Sequence, residues 1–378
     1  MNQLKKWVRR LLALLAIAVW LLFLPSLLLG WVHPGHWWPM GILSIGYLGT
    51  WLAALPALGW HWRRVALRRL RWLALLLWLA GAWLARPAIA WGSRPAISAA
   101  KPAGTLRLVQ WNCMQLPGIE QYFNKHLPWR QAMVQHLRRL QPDVLLLQDF
   151  QDYQSDVLWS NISLLRDTLG FRYMHFASFY HEQKAYGVVD EGVAIFSRLP
   201  LADTGRVAYT GRRHNSYIAW ADVLWQGQKL RLATTHFKSM SLHQEPAPGN
   251  SFNFVHYEDT AILTNGGKLP KLRKFQPYHV QQATTLRRFM DSCRTPLVLG
   301  ADMNSVPTSW VYRHVSPGWQ DAWLLAGRGL GGTYKSSLPQ LRIDYLLLPA
   351  RLQLQQFSMF ELDESDHRML MADIQWRE

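Results

Sequence analysis

Short apolar runs in this chain end repeatedly on Asp, Asn or His. Leu106–Trp111 ends at Asn112, and Asp143–Leu147 is followed by Gln148 and Asp149. Arg231–Thr235 ends at His236, and Leu297–Gly300 leads into Asp302 and Asn304. Ile343 precedes Asp344, and Ser365, Asp366 and His367 stand just before a last apolar run. One polar residue at the end of one strand is an ordinary surface residue. Repetition from one chemical set is different, because these hard oxygen and imidazole groups are the ones that Mg²⁺ ligation and proton transfer require. Within "GADMN" the two-residue period of an extended chain also sends Asp302 and Asn304 to the same side.

The elements that must position these residues are visible as patterns. Leu106–Asn112, Asp143–Gln148, Gly192–Ser197, Pro296–Met303, Ile343–Pro349 and Met369–Gln375 are expected strands. Ile218–Leu224 and Leu230–His236 form an expected hairpin around Gln226–Gly227. Pro128–Leu140 spaces Met133, Val134, Leu137 and Leu140 as an amphipathic helix does, and Tyr278–Cys293 is a second expected helix. Many strands with a few interleaved helices imply an α/β (α+β) two-layer sandwich over 105–378. Residues 239–274 are polar and rich in Gly, Pro and Asn, and follow the run that carries His236, so a flap over the site is expected there. Trp220 and Trp225 in the hairpin are expected in the sandwich core, and Cys113 and Cys293 as small buried side chains.

The first hundred residues differ from the rest. They contain no Asp or Glu, hold 11 Lys and Arg, and carry 12 of the 21 Trp. With a net charge of +17 for the chain, residues 101–378 keep 17 − 11 = +6. The basic balance is thus mostly a feature of the N-terminal region, which weakens a nucleic-acid reading. Residues 11–31 and 39–59 are long and apolar enough to cross a hydrocarbon core of about 30 Å. Residues 66–91 make a third candidate if its flanking Arg side chains snorkel. Trp residues cluster at the segment ends, as amphipathic rings do at membrane interfaces. Basic clusters at Lys5–Arg10 and Arg63–Arg71 place those ends in the cytoplasm. Three spans then put the region after residue 92 outside the cytoplasm of a multi-pass inner-membrane protein, with 92–104 as a linker. Two spans would reverse that orientation. The spans hold no acidic residue, which argues against a transporter or channel.

The motifs "LVQWNCM", "DVLLLQDF", "GVAIFSRLPL", "TTHFKS", "LGADMNS", "LRIDYLLLP" and "SDHRML" occur in the order found in the endonuclease/exonuclease/phosphatase superfamily, which the chain resembles over about 105–376. The stretch "GLGGTYKSSLPQLRIDYLLL" resembles a bacterial membrane-anchored branch of it. The resemblance implies a DNase I-like sandwich with its site where strand ends and loops meet. It implies Mg²⁺ (or Mn²⁺) held by Asn112, Asp149 and Asp366. Asp302 and Asn304 would face the scissile phosphate, with Asp302 orienting or deprotonating the attacking water. His367 would contact a phosphoryl oxygen or donate a proton, oriented by Asp344; His236 would be the second imidazole; Arg198 would support phosphate at the site edge.

Chemistry agrees with that set. Phosphate-ester hydrolysis needs neutralised phosphoryl oxygens, an in-line water and a stabilised leaving oxygen. Mg²⁺ takes only one or two protein carboxylates and keeps waters, which suits a sparse, dispersed ligand set. Zn²⁺ would ask for closely spaced His or Cys, and neither cysteine sits in such a motif. Two positions depart from the family pattern: Asp149 stands where Glu is usual, and Ala301 where Gly is usual. The expected function is a membrane-anchored, metal-dependent phosphoesterase whose substrate is a nucleic acid, an inositol phosphate or a phospholipid headgroup, with the bilayer as its partner and no obligate protein partner. The alternative, which Asp149 favours, is a membrane-anchored binding domain that keeps the fold with weak or no turnover.

Overall fold

The computed structural model describes residues 2–65, 67–92, 100–116, 127–155, 160–184, 187–209, 216–239, 268–337 and 340–377. Most of the expected flap, and the middle of the expected linker, lie outside the described residues.

Three helices open the chain: α1 (Asn2–Ser26), α2 (Pro39–Arg64) and α3 (Arg68–Ala85). Among described residues, Gln3–Ser26 and Pro39–Arg64 are long and apolar enough to cross a membrane; the third expected span does not meet that test, and its helix starts on Arg68, Arg69 and Arg71. Even so, α3 packs along α2. The Trp51 indole N–H donates to the Trp78 carbonyl and the Trp78 N–H to the Trp51 carbonyl, each at 3.1 Å, with the rings stacked 5.4 Å apart. Tyr47 Oη donates to Gly81 O at 2.8 Å. A side chain at Gly81 would strike Phe23 and Trp51 at 2.8 Å, so a small residue lets the three helices meet.

Two six-stranded sheets follow. One runs β13–β14–β2–β3–β5–β4 and the other β10–β12–β9–β8–β7–β6. The first holds β2 (Leu106–Gln115), β3 (Val144–Gln154), β4 (Tyr173–Lys184), β5 (Gly187–Ser197), β13 (Leu352–Phe360) and β14 (Met369–Trp376). The second holds β6 (Leu201–Ala208), β7 (Tyr217–Trp225), β8 (Gln228–His236), β9 (Leu297–Asp302), β10 (Gln320–Asp321) and β12 (Asp344–Leu348). The pairs β2/β3 and β8/β9 are parallel and the rest antiparallel. Each parallel pair is bridged by a helix, α4 (Leu127–Leu140) and α5 (Lys268–Ser292), as parallel neighbours require. Also present are two short helices, α6 (Trp310–Val315) and α7 (Ala322–Ala326), helical turns at Arg86–Ala88 and 161–168, and a two-stranded pair, β1 (Ala90–Trp91) with β11 (Arg328–Gly329).

The inner faces of the two sheets bury Leu108, Leu146, Ile195, Leu232, Val298, Leu346 and Leu370 between them. Each such side chain contributes about 1.5–3 kcal/mol. The Arg107–Asp373 pair, bidentate at 2.7 Å and fully buried, ties β2 to β14. The expected hairpin forms, with Gln226 and Gly227 both at positive φ in the left-handed two-residue turn that strand twist favours. Trp225 lies in the inter-sheet core, whereas Trp220 is half-buried on the helix side under Arg231. Both cysteines are free; Cys113 is buried, but Cys293 is only half-buried. The second helix is longer than expected, starting at Lys268 rather than Tyr278.

The helical bundle is seated directly on the sandwich. Thr308 Oγ1 donates to Ser44 O of α2 at 2.6 Å, Arg313 Nη2 to Leu84 O of α3 at 2.5 Å, and Arg342 Nη2 to Pro87 O at 2.6 Å. His33, in the loop between α1 and α2, packs on Trp310. The sandwich therefore meets the bundle end formed by 33–44 and 84–91, the end opposite the basic residues of 63–71.

Candidate active site

Register builds the centre of the site. His236 ends β8 beside Asp302 at the end of β9, and Asp344 begins β12 beside the same Asp302. Three neighbouring strands thus hold His236, Asp302 and Asp344 side by side. The facing sheet supplies Asn112 from β2, Asp149 from β3 and His367 from the approach to β14.

Asp302 is the hub and is fully buried. Its Oδ2 accepts from Asn112 Nδ2 at 3.0 Å and lies 3.4 Å from His236 Nε2. Its Oδ1 accepts the backbone N–H of Asn304 at 2.9 Å. Burial, then the nearby Asp344, push the Asp302 carboxyl upward against the two imidazoles and Asn112. A basic, desolvated carboxylate of this kind can take a proton from water.

His367 Nδ1 lies 2.8 Å from Asp344 Oδ2. Asp344 is held in turn by Gln110 Nε2 on Oδ1 at 3.2 Å, and by Thr333 Oγ1, which accepts its backbone N–H at 3.1 Å. Burial alone would lower the His367 pKa, but the Asp344, Asp366 and Asp302 carboxylates outweigh it and raise it to about 10. An imidazolium therefore sits among these acids and already provides their counter-charge. Asp302, Asp344 and His367 lie close enough to converge on a metal ion, although the ring Nδ1 is already engaged with Asp344 Oδ2.

The better donor set is at the rim. Asp149 Oδ1 lies 4.0 Å from His236 Nδ1, and Asp366 Oδ1 3.9 Å from His367 Nε2; both carboxylates are partly exposed. Asp149 stands at a bulge, since β3 and β5 lose register between Leu147 and Phe150, and its backbone takes a positive φ. Glu191 on β5, which sequence reasoning missed, comes within hydrogen-bond reach of Asp149. Burial, then the Asp149 charge, push its carboxyl up to about 8, against the Gln151 amide 2.5 Å away. Two carboxylates forced together, with the Asn112 amide on the adjoining strand, are a donor set that fits a hard divalent cation. A carboxylate in "DEGVAIFS" is the only sequence sign of Glu191; what places it is the register across the bulge.

Asn304 also has a positive φ and spends one amide N–H on Phe237 O at 2.9 Å, leaving the other for a ligand. Ser305 and His279 support it from behind, with Ser305 Oγ 3.3 Å from His279 Nδ1 and His279 Nε2 2.7 Å from Lys238 O. Gln148, buried, donates to Thr234 Oγ1 at 2.7 Å and accepts from Gln110, tying the two sheets together beneath the site. Ala301 is an ordinary buried strand residue opposite Tyr345. Arg198 is not brought to the cluster. It follows Ser197, which pairs with Val144 at the start of β3, well back along that strand from Asp149. Its Nε donates to Pro142 O and its guanidinium covers Phe171. The expected phosphate contact is therefore corrected to a structural one.

Comparison with known structures finds the same architecture. The human Nocturnin catalytic domain, solved with a bound sulfate anion, is 18% identical over 72% of this chain and 94% of its own, at a TM-score of 0.50. Humanized D. rerio TDP2 (15% identical, 72% and 99% covered, TM-score 0.48) and a Bacteroides thetaiotaomicron endonuclease/exonuclease/phosphatase family protein (14%, 72% and 98%, TM-score 0.47) are more distant. Among curated proteins none matches. The model of the Endonuclease/Exonuclease/phosphatase family matches residues 109–367, the span from the strand that bears Asn112 to His367 itself. That match covers more than half of the chain, and the chain belongs to the endonuclease/exonuclease/phosphatase family.

Proposed function

We propose that this protein is a divalent-metal-dependent phosphoesterase anchored in a membrane by α1–α3, with its sandwich outside the cytoplasm. The observation that carries the reading is the convergence on Asp302 of Asn112, His236 and the Asp344–His367 pair from strand ends of both sheets. Asp302, made more basic by burial, orients the attacking water and accepts its proton. His367, protonated and held by Asp344, donates to a phosphoryl oxygen or to the departing ester oxygen. His236 and the free amide N–H of Asn304 bind the remaining phosphoryl oxygens. Asn112, Asp149 and Asp366, with Glu191 beside Asp149, would hold Mg²⁺ or Mn²⁺. When bound, the metal supplies charge neutralisation at the phosphate.

Anchoring rests on the two long apolar helices and on polarity. The basic residues of 63–71 lie at the bundle end away from the sandwich, and positive ends face the cytoplasm. The test uses the full chain in lipid nanodiscs, because the bundle packs against the loop that carries Asn304. Turnover of bis-p-nitrophenyl phosphate should require Mg²⁺ or Mn²⁺, stop with EDTA, and fall at least about 10³-fold in Asp302→Ala. Metal-independent turnover, or full activity in that variant, rejects the reading. No turnover together with no metal binding favours the inactive binding domain.

A further inference from the structure

We propose that the ester cleaved at this site belongs to a lipid of the same bilayer that holds α1–α3, a deepening that rests on the phosphoesterase reading above. The first support is the position of the site. The Asn304 loop lies against the sandwich-side end of α2. Between them is a cavity of about 20 Å³, bounded by Met40 and Ser44 on the helix and by Asn304, Ser305 and His279 on the other side. One layer of side chains separates a phosphate-facing residue from a spanning helix. A second attachment, at Arg342–Pro87 and the β1–β11 pair, prevents the sandwich from swinging about the first.

The second support is a surface cleft beside the catalytic pair. A cleft of about 570 Å³ is lined by Trp323, Leu330, Gly331, Phe357, Met359 and Arg368. Gly331 has a positive φ, and a Cβ there would sit 2.2 Å from the Trp323 indole, so glycine is what lets the wall form. The cleft shares two backbone segments with the site. Arg368 directly follows His367, and Gly332 directly precedes Thr333, whose hydroxyl accepts the Asp344 N–H. Of the two guanidiniums in the wall, that of Arg368 is neutralised by Glu361, with Arg368 Nη2 2.6 Å from its Oε2, and Arg328 on the lip adds one positive charge, so the cleft offers apolar surface with a cationic edge suited to an anionic headgroup. Its lip, Arg328–Gly329, pairs with Ala90–Trp91 immediately beyond α3. That lip is rimmed by exposed Trp91, Leu325 and Leu330. Apolar side chains exposed next to a membrane helix suit an interface. An amphiphile lying there would have its phosphate at Asp302 and its chain in the cleft or the bilayer.

In the step itself the water oxygen bonds to phosphorus and its proton passes to Asp302. The ester P–O bond opposite the water breaks, and the leaving oxygen takes a proton from His367. Water plus diester gives an alcohol and a phosphomonoester.

The experiment compares two substrates that differ only in the tail: hexadecyl p-nitrophenyl phosphate embedded in phosphatidylcholine nanodiscs with the full chain, and methyl p-nitrophenyl phosphate in solution. The hexadecyl ester should be cleaved at least tenfold faster at matched bulk concentration. The exposed-rim variant Leu325→Glu/Leu330→Glu should lose most of that advantage while keeping the methyl-ester rate. Equal rates for the two esters, an advantage that survives the rim variant, or plasmid DNA cleaved faster than either ester overturns the lipid assignment and leaves the phosphoesterase reading standing. No cleavage of any substrate overturns both.

Discussion

His367, just before β14, and Asp344, at the start of β12, meet through a buried 2.8 Å Nδ1–Oδ2 contact. The pair fixes which imidazole nitrogen faces the site, and the carboxylate holds the ring protonated. Asp344→Asn should keep the fold and lower kcat by about 10²–10⁴-fold, with KM for bis-p-nitrophenyl phosphate within a factor of about three. Steady-state kinetics with Mn²⁺ checks this. A change of less than fivefold in kcat would remove the pair from the chemistry.

Asp149 explains its own departure from the family pattern. Its backbone takes a positive φ, a region in which Asp and Asn are several-fold enriched. A carboxylate one methylene shorter is thus compatible with the bulge, and Glu191 stands beside it. Asp149→Glu should cost about 1 kcal/mol of stability. Asp149→Ala should weaken Mn²⁺ binding by about tenfold or more. Unfolding midpoints and Mn²⁺ titration followed by electron paramagnetic resonance measure the two. Unchanged Mn²⁺ affinity in the alanine variant would move the metal away from this rim.

Much of this site could be read from strand endings, because alternation and chain order are local properties. Asp302, His236 and Asn112 needed only the rule that a buried run delivers its last polar residue toward a sheet end, and Asp344 the matching rule for the residue that opens such a run. Where long-range register decides, the sequence is mute. Glu191 reaches Asp149 only because β3 bulges. Arg198 follows an apolar strand just as the site residues do, but β5 runs antiparallel to β3, which carries Arg198 to the wrong end. Strands β4 and β6 escape a pattern reading because their burial is mixed rather than cleanly alternating. The seating of the bundle on the Asn304 loop joins Ser44 to Thr308, a pairing no local pattern encodes.

His279 predicts a pH effect on stability. Burial, opposed by its bond to the Lys238 carbonyl, lowers its pKa from 6.5 to about 4. The folded state therefore holds the ring neutral while the unfolded chain protonates it near 6.5. Its contribution is complete above pH 6.5 and is lost as pH falls from 6.5 to 4. The shift corresponds to about 3 kcal/mol. His279→Gln should flatten the decline in stability across that window relative to wild type, read by tryptophan fluorescence during denaturant unfolding of the full chain in detergent. Parallel curves for the two proteins would contradict the assignment.

The contact between α2 and the Asn304 loop predicts that α2 contributes to turnover. Thr308 and Ser44 are both buried, and their 2.6 Å bond joins α2 to the segment that runs from Asn304 into α6. Thr308→Val leaves the Ser44 carbonyl without that donor, at a cost of about 1–3 kcal/mol. The strain falls on the loop, because the helix is fixed by its own hydrogen bonds and by its packing on α1 and α3. Turnover of bis-p-nitrophenyl phosphate should fall by about three- to tenfold with KM little changed, since a misplaced Asn304 penalises the transition state more than the ground state. Thr308→Ser, which keeps the hydroxyl, should restore the rate. Gly41→Leu should act in the same direction, because a Cβ at Gly41 meets the Gln276 amide at 2.0 Å and a leucine there must displace that side chain from between α2 and α5. Hydrogen exchange at 303–309 should quicken in both defective variants and not in Thr308→Ser. If exchange and kcat stay at wild-type values in Thr308→Val, the bundle holds the enzyme in place without shaping its site.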